Sequence, residues 1–107
     1  MRTLAAGAGA ALLAITPALA ADQADQIIRG QYQAVLGDCA GCHTRPGGKP
    51  LAGGLPLETP FGALVPPNIT PDHETGIGNW SEIDFRNMMK TGVGHDGVRL
   101  YPAMPYP

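Results

Sequence analysis

The chain has 107 residues and a formal net charge of −2 at neutral pH, from seven basic and nine acidic side chains. This length suits one small domain, which buries a modest core and normally needs an additional stabilising group. The basic residues are spread singly, without the basic run or aromatic-interleaved patch of a nucleic-acid-binding protein, so no nucleic-acid partner is predicted.

Residues 1–20 have the pattern of an export signal. Arg2 supplies the short positive region, residues 4–15 form an apolar stretch, and the small-residue pattern Ala18-Leu19-Ala20 follows. Cleavage is expected after Ala20, which leaves residues 21–107 as a single domain exported to the periplasm. An uncleaved membrane anchor is the weaker alternative, because the apolar stretch is shorter than a bilayer span.

A first helix is predicted over residues 22–37. Asp22 and Asp25 near its start suit the positive end of the helix dipole, and Gly37 is expected to end it. Gly30 lowers helix stability, and two interpretations remain open: close approach of a second helix, or a merely tolerated glycine. The apolar side of this helix is expected to consist of Ile27, Ile28, Val35 and Leu36.

The only two cysteines of the chain stand in Cys39-Ala40-Gly41-Cys42-His43. On a turn of helix, two thiols three residues apart face the same way, so both can form thioethers to the vinyl groups of one porphyrin. His43 then falls beneath the iron and supplies the proximal imidazole. The pattern therefore predicts one haem c, covalently attached through Cys39 and Cys42 and ligated by His43.

Three other interpretations of these cysteines are disfavoured. A structural zinc site needs four ligands, and the missing ones would have to come from the scattered His73 and His95. A thioredoxin-like redox pair is expected beside a βαβ pattern, which is not visible here. A disulfide between residues this close would constrain the unfolded chain little, because its entropic effect grows with loop length.

Residues 45–67 are rich in proline and glycine, which forbids a long helix. We expect an extended loop that wraps the haem edge. A disordered linker is the alternative, but interleaved apolar residues favour a packed loop. These residues are Leu51, Leu55, Leu57, Phe61, Leu64 and Val65.

A second helix is predicted to begin after Trp80. Ser81 can act as its N-cap, and Asp84 completes a capping-box-like pattern. The helix should continue to Thr91 and end at Gly92, with Lys90 favouring the negative end of the dipole. The side chains expected to face inward are Ile83, Met88 and either Phe85 or Met89.

A haem held by one histidine has either a second axial ligand or an open site. The candidates are Met104, the helical pair Met88 and Met89, and the histidines His73 and His95. Met104 is favoured because the prolines around it restrict the backbone, so that a stiff segment can hold the thioether at the iron. Helical methionines more often fill core gaps, and the two histidines lie in predicted surface turns.

The segments CAGCH, GGKPLAGGLPLETPFG, PPNITPD, TGIGNW and YPAMPYP resemble the first haem domain of cytochrome c subunits from membrane-bound bacterial dehydrogenases of alcohols, gluconate, sorbitol or aldehydes. The resemblance covers nearly all of residues 21–107. It implies an all-α, class I cytochrome c fold with Cys39 and Cys42 as haem attachment and His43 and Met104 as axial ligands. It also implies that Pro67, Asn68 and Trp80 lie near the haem.

Such subunits look like several haem domains in series, and the fold of a class I cytochrome c is normally completed by a C-terminal helix. Because this chain has one motif and no such helix in its sequence, we expect a C-terminally truncated domain, and Gly30 is then interpreted as the crossing point of the lost helix.

The expected function is electron transfer, not catalysis: from a dehydrogenase catalytic subunit to quinone, a terminal oxidase or another cytochrome, with peripheral association at the outer face of the cytoplasmic membrane through the complex. Alternatives are a peroxidase-like or gas-binding haem domain with an open sixth position, or a non-functional fragment.

Overall fold

The computed structural model describes residues 16–104, and the chain divides after Gly37 into two units. The first unit contains helix α1, Thr16–Leu36. The second contains the short helix α2, Cys39–His43, the strands β1, Leu57–Thr59, and β2, Gly62–Leu64, and helix α3, Glu82–Thr91. Of the predicted export signal, residues 1–20, the first fifteen lie outside the described residues.

Helix α1 begins well before the predicted start at Asp22. The stretch Ala18-Leu19-Ala20-Ala21 consists of strong helix formers, so the helix continues through it from Thr16. Asp22 and Asp25 therefore lie beyond the first turn, and the prediction that they interact with the positive end of the helix dipole is wrong. Asp25 instead pairs with Arg29 at 2.8 Å across one turn. Since both side chains are exposed, this pair stabilises the helix by only about 0.3 kcal/mol.

The end of α1 agrees with the prediction. The N–H of Gly37 donates to the carbonyl of Gln33 at 2.9 Å, directly after the last helical residue. Within the described part of its own unit, a methyl group at Gly30 would meet no atom within 4 Å, so helix α1 itself gives no packing reason for a glycine. The apolar side chains Ile27, Ile28, Val35 and Leu36 are all more than half exposed. No helix within residues 16–104 is long and apolar enough to cross a membrane.

The segment predicted as an extended loop contains a β-hairpin. Strands β1 and β2 pair antiparallel, with Leu57 opposite Leu64 and Thr59 opposite Gly62. Pro60 stands in the turn, where its missing N–H costs no ladder hydrogen bond. The hydroxyl of Thr59 donates to the carbonyl of Gly62 at 2.5 Å and closes the turn. The all-α prediction is therefore not confirmed for this segment.

The apolar residues of this segment are packed unequally. Leu51, Leu55, Leu57 and Leu64 are half-buried, as a packed loop requires. Phe61, at the tip of the hairpin, is 92% exposed, and Val65 is 59% exposed. The prediction that all six residues pack is therefore wrong for these two.

Helix α3 has the bounds that its local sequence predicts. The N–H of Asp84 donates to the hydroxyl of Ser81 at 3.2 Å, and the N–H of Ser81 donates to the carboxylate of Asp84 at 2.9 Å, which forms a capping box. Gly92 follows the helix in a left-handed conformation, and its N–H donates to the carbonyl of Met88 at 2.8 Å. Among the inward-facing candidates, Met88 is buried, whereas Ile83, Phe85 and Met89 are exposed.

The capping box makes α3 sensitive to substitution and to acid. We predict that Ser81→Ala destabilises the haem-loaded chain by about 1 kcal/mol, whereas Ser81→Thr, which keeps the hydroxyl, costs less. The hydrogen bonds from Ser81 hold the pKa of Asp84 below its usual range. The stabilisation is therefore complete above the carboxyl's unfolded pKa and is lost as the pH falls through its lower folded pKa. Denaturant unfolding at neutral and acid pH checks this, and equal stability of both variants at neutral pH would contradict it.

Candidate haem site

The Cys-X-X-Cys-His segment forms α2, the helical turn that its spacing predicts. Asp38 precedes it in a left-handed conformation, with φ 48° and ψ 37°, and Thr44 follows it in an extended conformation. Both cysteines are free thiols; Cys39 is half-buried and Cys42 is exposed. Because residues three apart lie on the same side of a helix, both thiols are presented to one face.

The His43 ring is buried, with 8% of the residue exposed, and its orientation is set by one hydrogen bond. Its Nδ1 lies 2.8 Å from the carbonyl oxygen of Pro67. Because a carbonyl oxygen can only accept, the proton of the neutral ring is on Nδ1, and Nε2 keeps its lone pair. An imidazole whose other nitrogen donates to a carbonyl is the usual arrangement of a metal-ligating histidine. The donor set of two free thiols and this imidazole therefore fits a covalently attached haem.

Three stretches of backbone, residues 43–44, 51–54 and 66–69, are joined around His43. The N–H of Gly53 donates to the carbonyl of His43 at 2.7 Å, and that of Gly54 donates to Pro66 at 2.9 Å. The remaining bonds run from Ile69 N–H to the Leu51 carbonyl at 2.9 Å and from Leu51 N–H to the Thr44 hydroxyl at 3.0 Å. Sequence reasoning missed this arrangement, although the Gly53-Gly54 and Pro66-Pro67 pairs mark both crossing segments.

The segment after Pro67 is held by a hydrogen-bonded turn. The Asn68 amide oxygen accepts from the Thr70 N–H at 2.9 Å, and its nitrogen donates to the Thr75 hydroxyl at 2.9 Å. The Asp72 carboxylate accepts from the Thr75 N–H at 2.7 Å, and this hydrogen bond is the main reason why the pKa of Asp72 is lowered. Asn68 thus fixes the chain that follows Pro67, and its contact with a haem stays a prediction.

Trp80 is half-buried, and its ring lies against an exposed histidine. The ring centroids of Trp80 and His95 are 5.0 Å apart, with planes inclined by 37°. Of the predicted pocket residues, only Pro67 makes a hydrogen bond to His43, through its carbonyl. The position of Trp80 beside a haem stays a prediction.

The candidates for the second axial ligand lie in different settings. Met104 is half-buried, immediately after a turn in which the Ala103 N–H donates to Tyr101 at 2.8 Å; residues 105–107 lie outside the described part of the chain. Met88 is buried in α3, and Met89 is 38% exposed. The exposed His73 contacts the Asn79 amide oxygen through Nδ1, at 2.8 Å. Met104 as the ligand therefore stays a prediction.

The geometry gives no support to the zinc and disulfide interpretations. Within residues 16–104, no group of three or more His, Cys, Asp or Glu side chains is arranged to hold a metal ion. Cys39 and Cys42 are not joined to each other. His43 and the two thiols remain the donor set of the site.

Comparison with known proteins finds close relatives, although no protein-family profile matches the chain. The chain is 53% identical over 92 residues to the gluconate 2-dehydrogenase cytochrome c subunit of Pantoea cypripedii, covering 84% of this chain and 21% of that protein. It is 46% identical over 105 residues to the cytochrome c subunit of the quinone alcohol dehydrogenase of Gluconobacter oxydans, covering 97% and 22%. It is 43% identical over 91 residues to the fructose dehydrogenase cytochrome subunit of Gluconobacter japonicus, covering 84% and 19%. The chain spans about a fifth of the length of each of these relatives.

Proposed function

Since the chain is a homologue of the cytochrome c subunits of bacterial dehydrogenases, electron-transfer subunits and not catalytic ones, we propose that it carries one haem c and transfers single electrons through it. The observation that carries this proposal is the donor set of α2, above all the 2.8 Å contact that assigns the His43 proton to Nδ1. When bound, haem c supplies a one-electron couple between ferric and ferrous iron.

Each of the three donor residues of α2 then has one role. Cys39 and Cys42 hold the haem through thioethers to its two vinyl groups. His43 ligates the iron through Nε2, and the Pro67 carbonyl holds the ring proton on Nδ1. This hydrogen bond fixes the ring orientation and raises its basicity as a ligand.

Met104 is proposed as the second axial ligand, which gives His/Met ligation. Its support is its half-buried setting after a turn and the neighbouring prolines that stiffen its segment. A thioether opposite histidine raises the reduction potential and closes the sixth position. An open sixth position, as in a peroxidase-like or gas-binding domain, is the competing interpretation.

We predict that Met104→Ala lowers the reduction potential of the haem-loaded chain, because a thioether favours ferrous iron. The oxidised variant should also lose the weak long-wavelength methionine-to-iron band and bind cyanide faster. Met89→Ala, which changes an exposed methionine of α3, serves as the matched control and should leave potential, band and cyanide binding unchanged. A wild-type chain without this band that binds cyanide as fast as Met104→Ala would contradict the assignment.

The partners and the location are proposed from the relatives and from residues 1–20. The chain accepts electrons from the catalytic subunit of a dehydrogenase and passes them to quinone, a terminal oxidase or another cytochrome. It lies in the periplasm, at the outer face of the cytoplasmic membrane through the complex, as part of a class I cytochrome c fold. Fractionation of cells that express the chain with a cytochrome c maturation system tests the location. Haem-stained product should appear in the periplasmic fraction, and unprocessed cytoplasmic product without haem would overturn this.

A further inference from the structure

Gly53 lies between the two partners of the hydrogen bond that orients His43. Its own N–H donates to the His43 carbonyl at 2.7 Å. A Cβ atom at this position would lie 2.5 Å from both the Pro66 carbonyl oxygen and the Pro67 carbonyl carbon, and 2.6 Å from the Pro67 carbonyl oxygen. That oxygen is the one that accepts the proton of His43 Nδ1 at 2.8 Å. The close approach thus requires a residue without a side chain.

We propose that Gly53 is a positioning residue for the proximal histidine, an inference that rests on the haem function proposed above. Because Gly53 lacks a Cβ, the Pro67 carbonyl can approach close enough to hold the Nδ1 proton of His43. Gly53 thereby sets how strongly this hydrogen bond increases the electron donation of the ring to the iron. It tunes the reduction potential through the His43 ring.

The surrounding backbone shows why the effect cannot be absorbed locally. Gly53 holds the carbonyl of His43, and its neighbour Gly54 holds the carbonyl of Pro66, so one dipeptide fixes both sides of the Nδ1 hydrogen bond. The atoms that a Cβ would meet belong to the backbone of Pro66 and Pro67, not to a flexible side chain. A methyl group on Gly53 must therefore displace the Pro67 peptide.

The sign of the effect follows from the chemistry of the ring. A strong hydrogen bond from Nδ1 to a carbonyl gives the imidazole more anionic character, which favours ferric iron. A displaced Pro67 carbonyl weakens this bond, so that the ring donates less electron density. Gly53→Ala should therefore raise the reduction potential.

Gly47→Ala is the matched control, because both glycines have positive φ, 72° at Gly53 and 71° at Gly47. Both alanines are therefore strained in the backbone. At Gly47, however, an added Cβ would meet no atom of residues 38–104 within 4 Å. Only Gly53→Ala is expected to disturb His43.

The test compares wild type, Gly53→Ala and Gly47→Ala, all with haem attached, by redox titration and by NMR of the His43 ring. We expect a higher potential and a shifted Nδ1–H resonance in Gly53→Ala, and neither in Gly47→Ala, although both variants lose thermal stability. Equal potentials in the two variants, or an unshifted resonance in Gly53→Ala, would overturn the proposal.

If Gly53→Ala yields no haem-loaded protein, the wild-type chain decides. A His43 Nδ1 proton that is protected from solvent exchange and close to the Gly53 α-protons by NMR supports the proposal, and an unprotected proton overturns it. A wild-type chain without covalent haem would instead refute the proposed function, so the two failures are distinguishable.

Discussion

Replacing both Cys39 and Cys42 with alanine should leave a denatured chain that carries no haem. The two thiols are the only cysteines of the chain, and both are free and borne on α2, so no other side chain can form the thioethers. Haem staining of a denaturing gel measures this, because only covalently attached haem survives denaturation. We expect the loss to be complete.

The single variants are the controls for this result. Cys39→Ala and Cys42→Ala each keep one thiol, so each should retain some stained haem. The absorption band of the reduced haem should be shifted towards longer wavelength, because one vinyl group stays unsaturated. Stained haem in the double variant at the level of the single variants would show that α2 is not the attachment site.

The loss of haem should also destabilise the chain. Among the described residues, Met88 is the only large apolar side chain that is buried, so the side chains supply little core of their own. Small domains with so little core need a cofactor, metal or disulfide to fold. The double variant should therefore lose cooperative thermal unfolding followed by circular dichroism.

Replacing His43 with alanine should abolish the low-spin spectrum of the haem that remains attached. The thioethers of Cys39 and Cys42 do not depend on the imidazole, but the proximal ligand is lost with it. Addition of free imidazole should restore the low-spin spectrum, because it can enter the space that the buried ring occupies. Absorption spectra of the oxidised and reduced variant, with and without imidazole, measure this.

The other histidines provide matched controls for His43. His73 and His95 are both exposed, the first beside Asn79 and the second beside Trp80. His73→Ala and His95→Ala should keep the low-spin spectrum of the wild type. If either variant lost that spectrum while His43→Ala kept it, the axial ligand would be that histidine and not His43.

Helix α3 and the α2 turn were predictable because their determinants lie close together in the sequence. Ser81 and Asp84 cap α3 reciprocally across three residues, and Gly92 ends it with its own backbone conformation. The Cys-X-X-Cys-His spacing likewise places its donors within one helical turn. Such contacts need no knowledge of the rest of the fold.

The features that sequence reasoning missed depend on packing or on competing signals. The His43–Pro67 hydrogen bond joins residues 24 positions apart, and the approach of Gly53 to Pro67 is visible only once both segments are folded. The hairpin at residues 57–64 was obscured by Pro60 in its turn, by Pro56 directly before it and by strands of only three residues. Helix α1 starts before the predicted Asp22 because the alanines before it favour continuation of the helix, although Asp22 and Asp25 resemble a helix start.

The most direct test of the central proposal combines a pyridine haemochrome spectrum with a redox titration. Both are measured on the full chain, expressed together with a cytochrome c maturation system. We predict a reduced α-band at the position of a haem whose two vinyl groups are both saturated, and a reversible one-electron couple. A product without covalent haem, or with the α-band of unmodified haem b, would contradict the proposal.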